Sequence, residues 1–245
     1  MPENTVTFQS RERRGPPEPE EIALDVLYED DCLIVINKPA GMVVHPTYKN
    51  WTGTVLNGLL WRVGPGGPQG PAMRTPSIVT RLDKDTSGLV IAALRPDVHA
   101  RIQKDGAAGR VIKEYLAFVH GIPSPSVGTI SLPLARSEED RRLVVVTESG
   151  QASETRYEVL SSANGMSVVR CQLVTGRTHQ IRVHLADRGW PIVGDLVYGK
   201  PHDAIGRQAL HASRVRMPHP FTRIPMEFQA PAPQDFEALL SSSHP

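Results

Sequence analysis

The chain is poor in thiols, in net charge and in long apolar runs. Cys32 and Cys171 are its two cysteines. Both lie in apolar-looking segments, which gives no disulfide framework and fits reduced core thiols in a cytoplasmic protein. Basic and acidic residues nearly cancel, 27 against 26, for a formal charge of +1. A global electrostatic field is thereby excluded, and an anionic partner would have to meet a local basic face. No stretch approaches the ~18 consecutive apolar residues of a membrane span. The glycine-rich run Gly64-Pro-Gly-Gly-Pro-Gln-Gly-Pro71 lacks the Gly-Lys-Ser/Thr that would make it a nucleotide loop. His179 and His184 have the wrong helical spacing for one ion, and no nearby cysteine or carboxylate completes a metal site.

What is present suffices for a sizeable core: 245 residues, 40% of them hydrophobic. Residues 1–20 are polar and proline-rich and read as a disordered tail; within it Arg11, Arg13 and Arg14 read as solvated rather than phosphate-bound. The folded domain is expected over 21–245. Two strands joined by the acidic turn Glu29-Asp30-Asp31 come first, and Thr52-Gly-Thr54 opens a helix through about Val63. Strands are expected at 129–134, 143–147, 152–160 and 167–173, with hairpin turns at Glu148-Ser-Gly150 and Ala163-Asn-Gly165. Thr178 is placed to cap a helix to Asp187, which would put His179 and Arg182 on one face. Two further strands, from 210 and from 225, and a terminal helix from 233 close the chain. Strands and helices do not alternate, so the expected class is α+β with a mixed, largely antiparallel sheet.

The most chemically loaded stretch runs from Ser77 to Leu94. Residues 89–94 read as a buried strand, so Arg81, Asp83, Lys84, Asp85, Thr86 and Ser87 sit in the loop that feeds it. Charged groups on a loop held by a core strand suit catalysis, and they equally suit a solvated turn.

Arg81-Leu-Asp-Lys-Asp-Thr-Ser-Gly-Leu89 resembles the catalytic signature of the RluA family of RNA pseudouridine synthases. Further matches follow in the family's order: Val35-Ile-Asn-Lys-Pro-Ala-Gly-Met-Val-Val-His-Pro46, Lys113-Glu-Tyr-Leu-Ala-Phe-Val-His-Gly121, and Gly176-Arg-Thr-His-Gln-Ile-Arg-Val-His-Leu185 with Pro191-Ile-Val-Gly-Asp195 and Tyr198-Gly199. Gln208-Ala-Leu-His-Ala212, His219-Pro220 and Pro233-Gln-Asp-Phe236 resemble the closing segment. Thr80 departs from the family's frequent histidine before Arg-Leu-Asp. Many members carry an N-terminal S4-type domain, whereas residues 1–20 are all that precede the first strand here, so the resemblance is to the form without it.

The resemblance implies a pseudouridine synthase-like fold with a catalytic cleft, RNA as partner (a ribosomal or transfer RNA stem-loop), and a cytoplasmic monomer. Isomerising uridine is redox-neutral, so no cofactor or metal is expected. By motif match Asp83 is the catalytic carboxylate, Arg182 its ionic partner, and Tyr115 the platform that holds the loosened uracil. Arg81 would enter the RNA stack vacated by the flipped nucleotide. Ile181 is expected on the apolar pocket wall, with Lys38, Arg177 and His179 as further RNA contacts. Asp85, Thr86 and Ser87 are assigned to loop structure. A non-catalytic RNA-binding protein of the same fold would be expected to lack at least one of Asp83, Tyr115, Arg81 or Arg182. A glycosidase using Asp83 and Asp85 would draw both carboxylates from one short loop rather than from opposite cleft walls.

Overall fold

The computed structural model describes residues 15–68 and 74–242. Arg11, Arg13 and Arg14 of the polar tail, and the end of the glycine-rich run, lie outside the described residues. The part of that tail nearest the domain is held against it. Asn57 donates to the Glu18 carbonyl at 2.8 Å, and the Glu20 carboxylate accepts the Gly53 N–H at 2.9 Å. The boundary expected at residue 21 therefore falls too late.

Hydrophobic patterning builds one large sheet. Strands β1 (Val26–Glu29) and β2 (Leu33–Lys38) form a hairpin whose turn is set by Asp30, its Oδ1 accepting the N–H groups of Cys32 and Leu33. Helix α1 (Val55–Val63) starts on Thr54, which caps it as expected. Then come β3 (Ser77–Ile78), β4 (Ser87–Ala93), α2 (Pro96–Ala107), β5 (Ile112–His120) and β6 (Val127–Ser131). The strand expected over 129–134 is split, because Pro133 has no N–H for the ladder. The chain restarts as β7 (Leu134–Arg136), paired with β8 (Val144–Val146) in a small separate sheet. The chain continues through β9 (Glu154–Ala163), β10 (Met166–Leu173), α3 (Gln180–Asp187), β11 (Leu210–Pro218), β12 (Pro225–Gln229) and α4 (Gln234–Ser242).

The main sheet runs β1-β2-β4-β11-β5-β10-β9-β6, with β12 beside β11 and β3 beside β4. Every strand pair is antiparallel except β4 with β11. That exception positions the site. The two strands meet only at His211 with Ser87 and Ala212 with Gly88. Gly88 has φ +109, and a Cβ there would lie 2.2 Å from the Ala212 carbonyl oxygen. Only glycine allows this approach. Beside it, the Ser87 hydroxyl reaches His211 Nδ1 at 3.0 Å, and His211 Nε2 reaches the Ala230 carbonyl at 3.1 Å.

The core divides around β4. Leu33, Val35, Leu89 and Ile91 pack towards α2, while Ile34, Ile36, Val90 and Leu59 pack towards α1. A third cluster joins Phe118, Val169, Ile181, Leu185 and Phe236 across β5, β10, α3 and α4. Leu82 packs against both the α1-side cluster and this third one. Burying a leucine contributes about 1.5–3 kcal/mol, so the residue before Asp83 is tied into two cores at once. Among the described residues no helix is long and apolar enough to cross a membrane.

Candidate active site

Loop 79–86 between β3 and β4 is fixed by backbone groups before any side chain enters the cleft. Thr80 Oγ1 accepts the Ile91 N–H at 2.8 Å, a structural use for the hydroxyl that stands where the family often has histidine. The Thr86 N–H closes a turn on the Asp83 carbonyl at 3.1 Å. Arg207 donates to the Asp85 carbonyl at 3.1 Å and Gln208 to the Thr86 hydroxyl at 3.2 Å.

Lys38 corrects a sequence expectation. It is 1% exposed, and its Nζ donates to the carbonyls of Pro39, Met42 and Lys84 at 2.7, 2.9 and 2.9 Å. An ammonium with three carbonyl acceptors is a clamp joining the β2 loop to loop 79–86, not an RNA contact. Burial pushes its pKa down to about 7.

Asp83 emerges from this frame with its side chain 25% exposed. Its Oδ2 accepts from Arg182 Nη1 at 2.9 Å. Arg182 turns its other edge to Asp195, Nε to Oδ2 at 2.7 Å and Nη2 to Oδ1 at 2.8 Å. Asp195 is 0% exposed, and its Oδ1 also accepts the N–H groups of Val197 and Tyr198. Burial works against the charge on Arg182, but the two carboxylates outweigh it and hold the guanidinium above its usual pKa. Burial likewise works against the Asp195 carboxylate, and Arg182 outweighs it, so that acid lies below its usual value. One permanent cation is thus shared by two acids, one sealed and one facing the cleft.

Tyr115 on β5 is 7% exposed, and its phenol is raised above its usual pKa by burial and then by the Asp83 charge. It stays a protonated ring at neutral pH. His179 differs from the helical reading: it precedes α3 with φ 54 and ψ 15, and Thr178 makes no cap. The ring nonetheless comes to Asp83, Nε2 to Oδ2 at 3.9 Å, while its Nδ1 lies 2.8 Å from the Tyr198 hydroxyl. Gln180 explains the turn into α3: its Oε1 accepts the Thr175 hydroxyl and the Arg177 N–H, and its Nε2 donates to the Glu154 carbonyl.

Seven of the eight expected residues, Asp83, Tyr115, Arg182, Arg81, Ile181, Arg177 and His179, line one small pocket of about 60 Å³. Lys38 lies outside it, as does Asp85. The pocket opens beside a cleft of about 750 Å³ that shares Arg81, Leu82, Asp83, Tyr115, Leu173 and Arg177 with it. Lys113 and Arg136 add positive charge to the cleft, where Asp83 is the only carboxylate among the described residues. A near-neutral chain therefore presents a local basic face. Arg81 is exposed and forms no ion pair with a described residue. Sequence reasoning gave no role to Asp195, Tyr198 or Lys113, although all three lie in the matched motifs. The cue for Asp195 was a carboxylate at the end of an apolar run.

Metal ligation is disfavoured in both histidine settings. His184 has Nδ1 at 2.9 Å from Thr155 Oγ1 and Nε2 at 3.1 Å from the Leu132 carbonyl, so both nitrogens are engaged. Asp30, Cys32 and His219 are the one group of close potential ligands among the described residues. There the His219 Nδ1 accepts the N–H groups of Phe221 and Thr222, which leaves Nε2 protonated and donating to Asp30.

Comparison with known proteins agrees with this geometry. A family model described as RNA pseudouridylate synthase matches residues 32–187. The chain is 42% identical over 235 residues to an uncharacterised RNA pseudouridine synthase of Bacillus subtilis, covering 92% of this chain and 77% of that protein. It is 39% identical over 238 residues to the ribosomal large subunit pseudouridine synthase D of Zymomonas mobilis, covering 91% and 73%. Among solved structures, human RNA pseudouridylate synthase domain containing 4 superposes with a TM-score of 0.69 at 26% identity, over 89% of this chain and 92% of that one. The chain belongs to the RluA family of RNA pseudouridine synthases, enzymes that isomerise uridine within RNA.

Proposed function

We propose that Asp83 is the carboxylate that acts on the ribose of a flipped uridine in large-subunit ribosomal RNA. The observation that carries this reading is an aspartate in the mouth of a pocket, held by a shared guanidinium through one oxygen, in a cleft whose other charged lining is basic. Asp83 attacks C1′ or takes the C2′ proton. The N1–C1′ bond breaks with its electrons on the uracil, the base turns, and C5 joins C1′ as the Asp83–C1′ bond breaks or, on the second route, as Asp83 returns the proton to C2′. Loss of the C5 proton and gain of one at N1 completes the isomer. Tyr115 and Ile181 both line the pocket and serve as walls for the free base, a role suited to a buried phenol and a branched alkyl.

Flipping the nucleotide costs a few kcal/mol of stacking. Arg81, exposed and unpaired, fills the vacated place with a planar cation that can stack and hydrogen-bond. Arg177, with Lys113 and Arg136, follows the phosphate backbone. Relatives that act on ribosomal RNA in bacteria support a cytoplasmic setting. Ribosomal rather than transfer RNA is favoured by the likeness to the large-subunit enzyme of Zymomonas mobilis.

Pseudouridine mapping of total RNA from a deletion strain tests the reading. Loss of one or more pseudouridines from large-subunit ribosomal RNA is expected, restored by the wild-type gene and not by Asp83→Asn. Loss confined to transfer RNA would overturn the substrate assignment, and restoration by Asp83→Asn would overturn the role of Asp83.

A further inference from the structure

The fold treats the two oxygens of Asp83 differently. Oδ2 accepts from Arg182 at 2.9 Å and faces His179 Nε2 at 3.9 Å. Oδ1 receives no hydrogen bond from any described residue. His179 is brought there at a cost, since φ 54 is a left-handed conformation that non-glycine residues keep only when their surroundings fix it.

Tyr198 does the fixing. Its hydroxyl accepts the Val144 N–H at 2.9 Å and lies 2.8 Å from His179 Nδ1, and the two rings meet edge to face. A phenol has one proton. With Val144 on an oxygen lone pair, that proton goes to Nδ1, which makes Nδ1 the acceptor and leaves the hydrogen on Nε2, facing Asp83. The other charged groups around the imidazole are Arg182, Asp195 and Arg136. Burial holds the imidazole below its usual pKa and the Tyr198 phenol above its own, so both partners are neutral at pH 7.

We infer that Tyr198 and His179 are a positioning pair that holds Asp83 by Oδ2 and so makes Oδ1 the oxygen delivered to the ribose. This rests on the reading of Asp83 given above. Apo sites often show long hydrogen bonds that tighten when substrate excludes water, and the 3.9 Å gap closes in that way. While Oδ1 is bonded to C1′, or holds the C2′ proton, the carboxylate charge is spent. When that bond breaks the charge returns and is shared by Arg182 and the His179 N–H. The imidazole keeps its own proton throughout.

The test pairs a spectrum with kinetics. Two-bond ¹H–¹⁵N correlations of histidine-labelled protein at pH 7.5 are expected to show the Nε2–H tautomer for His179, and a mixture in Tyr198→Phe. With a large-subunit ribosomal RNA transcript carrying C5-tritiated uridine, His179→Leu is expected to lower the saturating rate about 10- to 100-fold, the worth of one hydrogen bond to a charged group, with KM nearly unchanged. His179→Gln, whose amide N–H reaches the same place, recovers most of that loss. An Nδ1–H tautomer in the wild type would overturn the pair. So would a His179→Leu enzyme that keeps its saturating rate while KM rises, which would make the imidazole a substrate contact. Absence of tritium release by the wild-type enzyme would count against the ribosomal substrate assigned above, and the tautomer measurement would still decide the pair.

Discussion

Two arginine–carboxylate clusters in this molecule use the same chemistry in opposite proportions. At Asp105 one acid lies between two cations. Arg110 and Arg223 supply donors to both of its oxygens at 2.6–3.0 Å. That carboxylate is 3% exposed and held below its usual pKa, chiefly by Arg223 against the cost of burial. At Arg182 one cation lies between two acids, and the acid facing the cleft keeps an oxygen that no described residue uses. The first arrangement engages both carboxylate oxygens and holds α2 to the loop before β12. The second leaves a directed, unsatisfied oxygen beside a pocket. On the proposed reading, reactivity follows from which atom is left over, not from the presence of an ion pair.

Removing the central guanidinium should separate the clusters most strongly. Arg182→Met leaves Asp195 buried with its charge unbalanced, and such losses run to about 3–5 kcal/mol. Arg223→Met removes a partner that solvent already screens and should cost much less. Urea unfolding of both variants measures the contrast, and equal costs would break it. Next, Gly88→Ala forces a methyl onto the Ala212 carbonyl at a positive φ and should cost about 3 kcal/mol, with loss of activity at 37 °C. Differential scanning calorimetry and tritium release report the two effects. Asp105→Asn should cost about 2 kcal/mol, discounted for its partly exposed arginines, while turnover stays within about twofold, since Asp105 touches no part of the pocket.

The smallest effect is acid sensitivity from two histidines outside either cluster. His184 and His211 are buried, and burial lowers both below their ordinary pKa of 6.5. The unfolded chain therefore binds these protons first as pH falls. Their contribution is intact above pH 6.5 and is lost towards the lower folded values, by at most about 1.4 kcal/mol per pH unit for each histidine. Thermal melts from pH 8 to pH 5.5 should show this decline, and a His184→Gln, His211→Gln protein should show a flatter one.

Much of this was legible in the sequence because it is local. The run from Ser77 to Leu94 carries strand, turn and catalytic loop within eighteen contiguous residues, and the hairpin of β9 and β10 follows from alternation and an Asn-Gly turn. The pairing of Arg182 with Asp83 joins residues 99 apart; local pattern could not supply it, and the family resemblance did. Lys38 was misplaced because a lysine after a strand ordinarily points to water. What buries it is the carbonyl of Lys84, 46 residues on. Thr178 has the right chemistry for a cap, but Gln180 and the left-handed turn at His179 set the start of α3 instead. The parallel contact of β4 with β11 left only an indirect trace, the glycine at 88.

Single-turnover tritium release from C5-labelled ribosomal RNA by Asp83→Asn, with Asp105→Asn alongside, tests the central claim most directly. The amide preserves shape and removes the charged oxygen. Release slowed by at least about a thousandfold is expected for Asp83→Asn, with Asp105→Asn near the wild-type rate. Wild-type release by Asp83→Asn would contradict it.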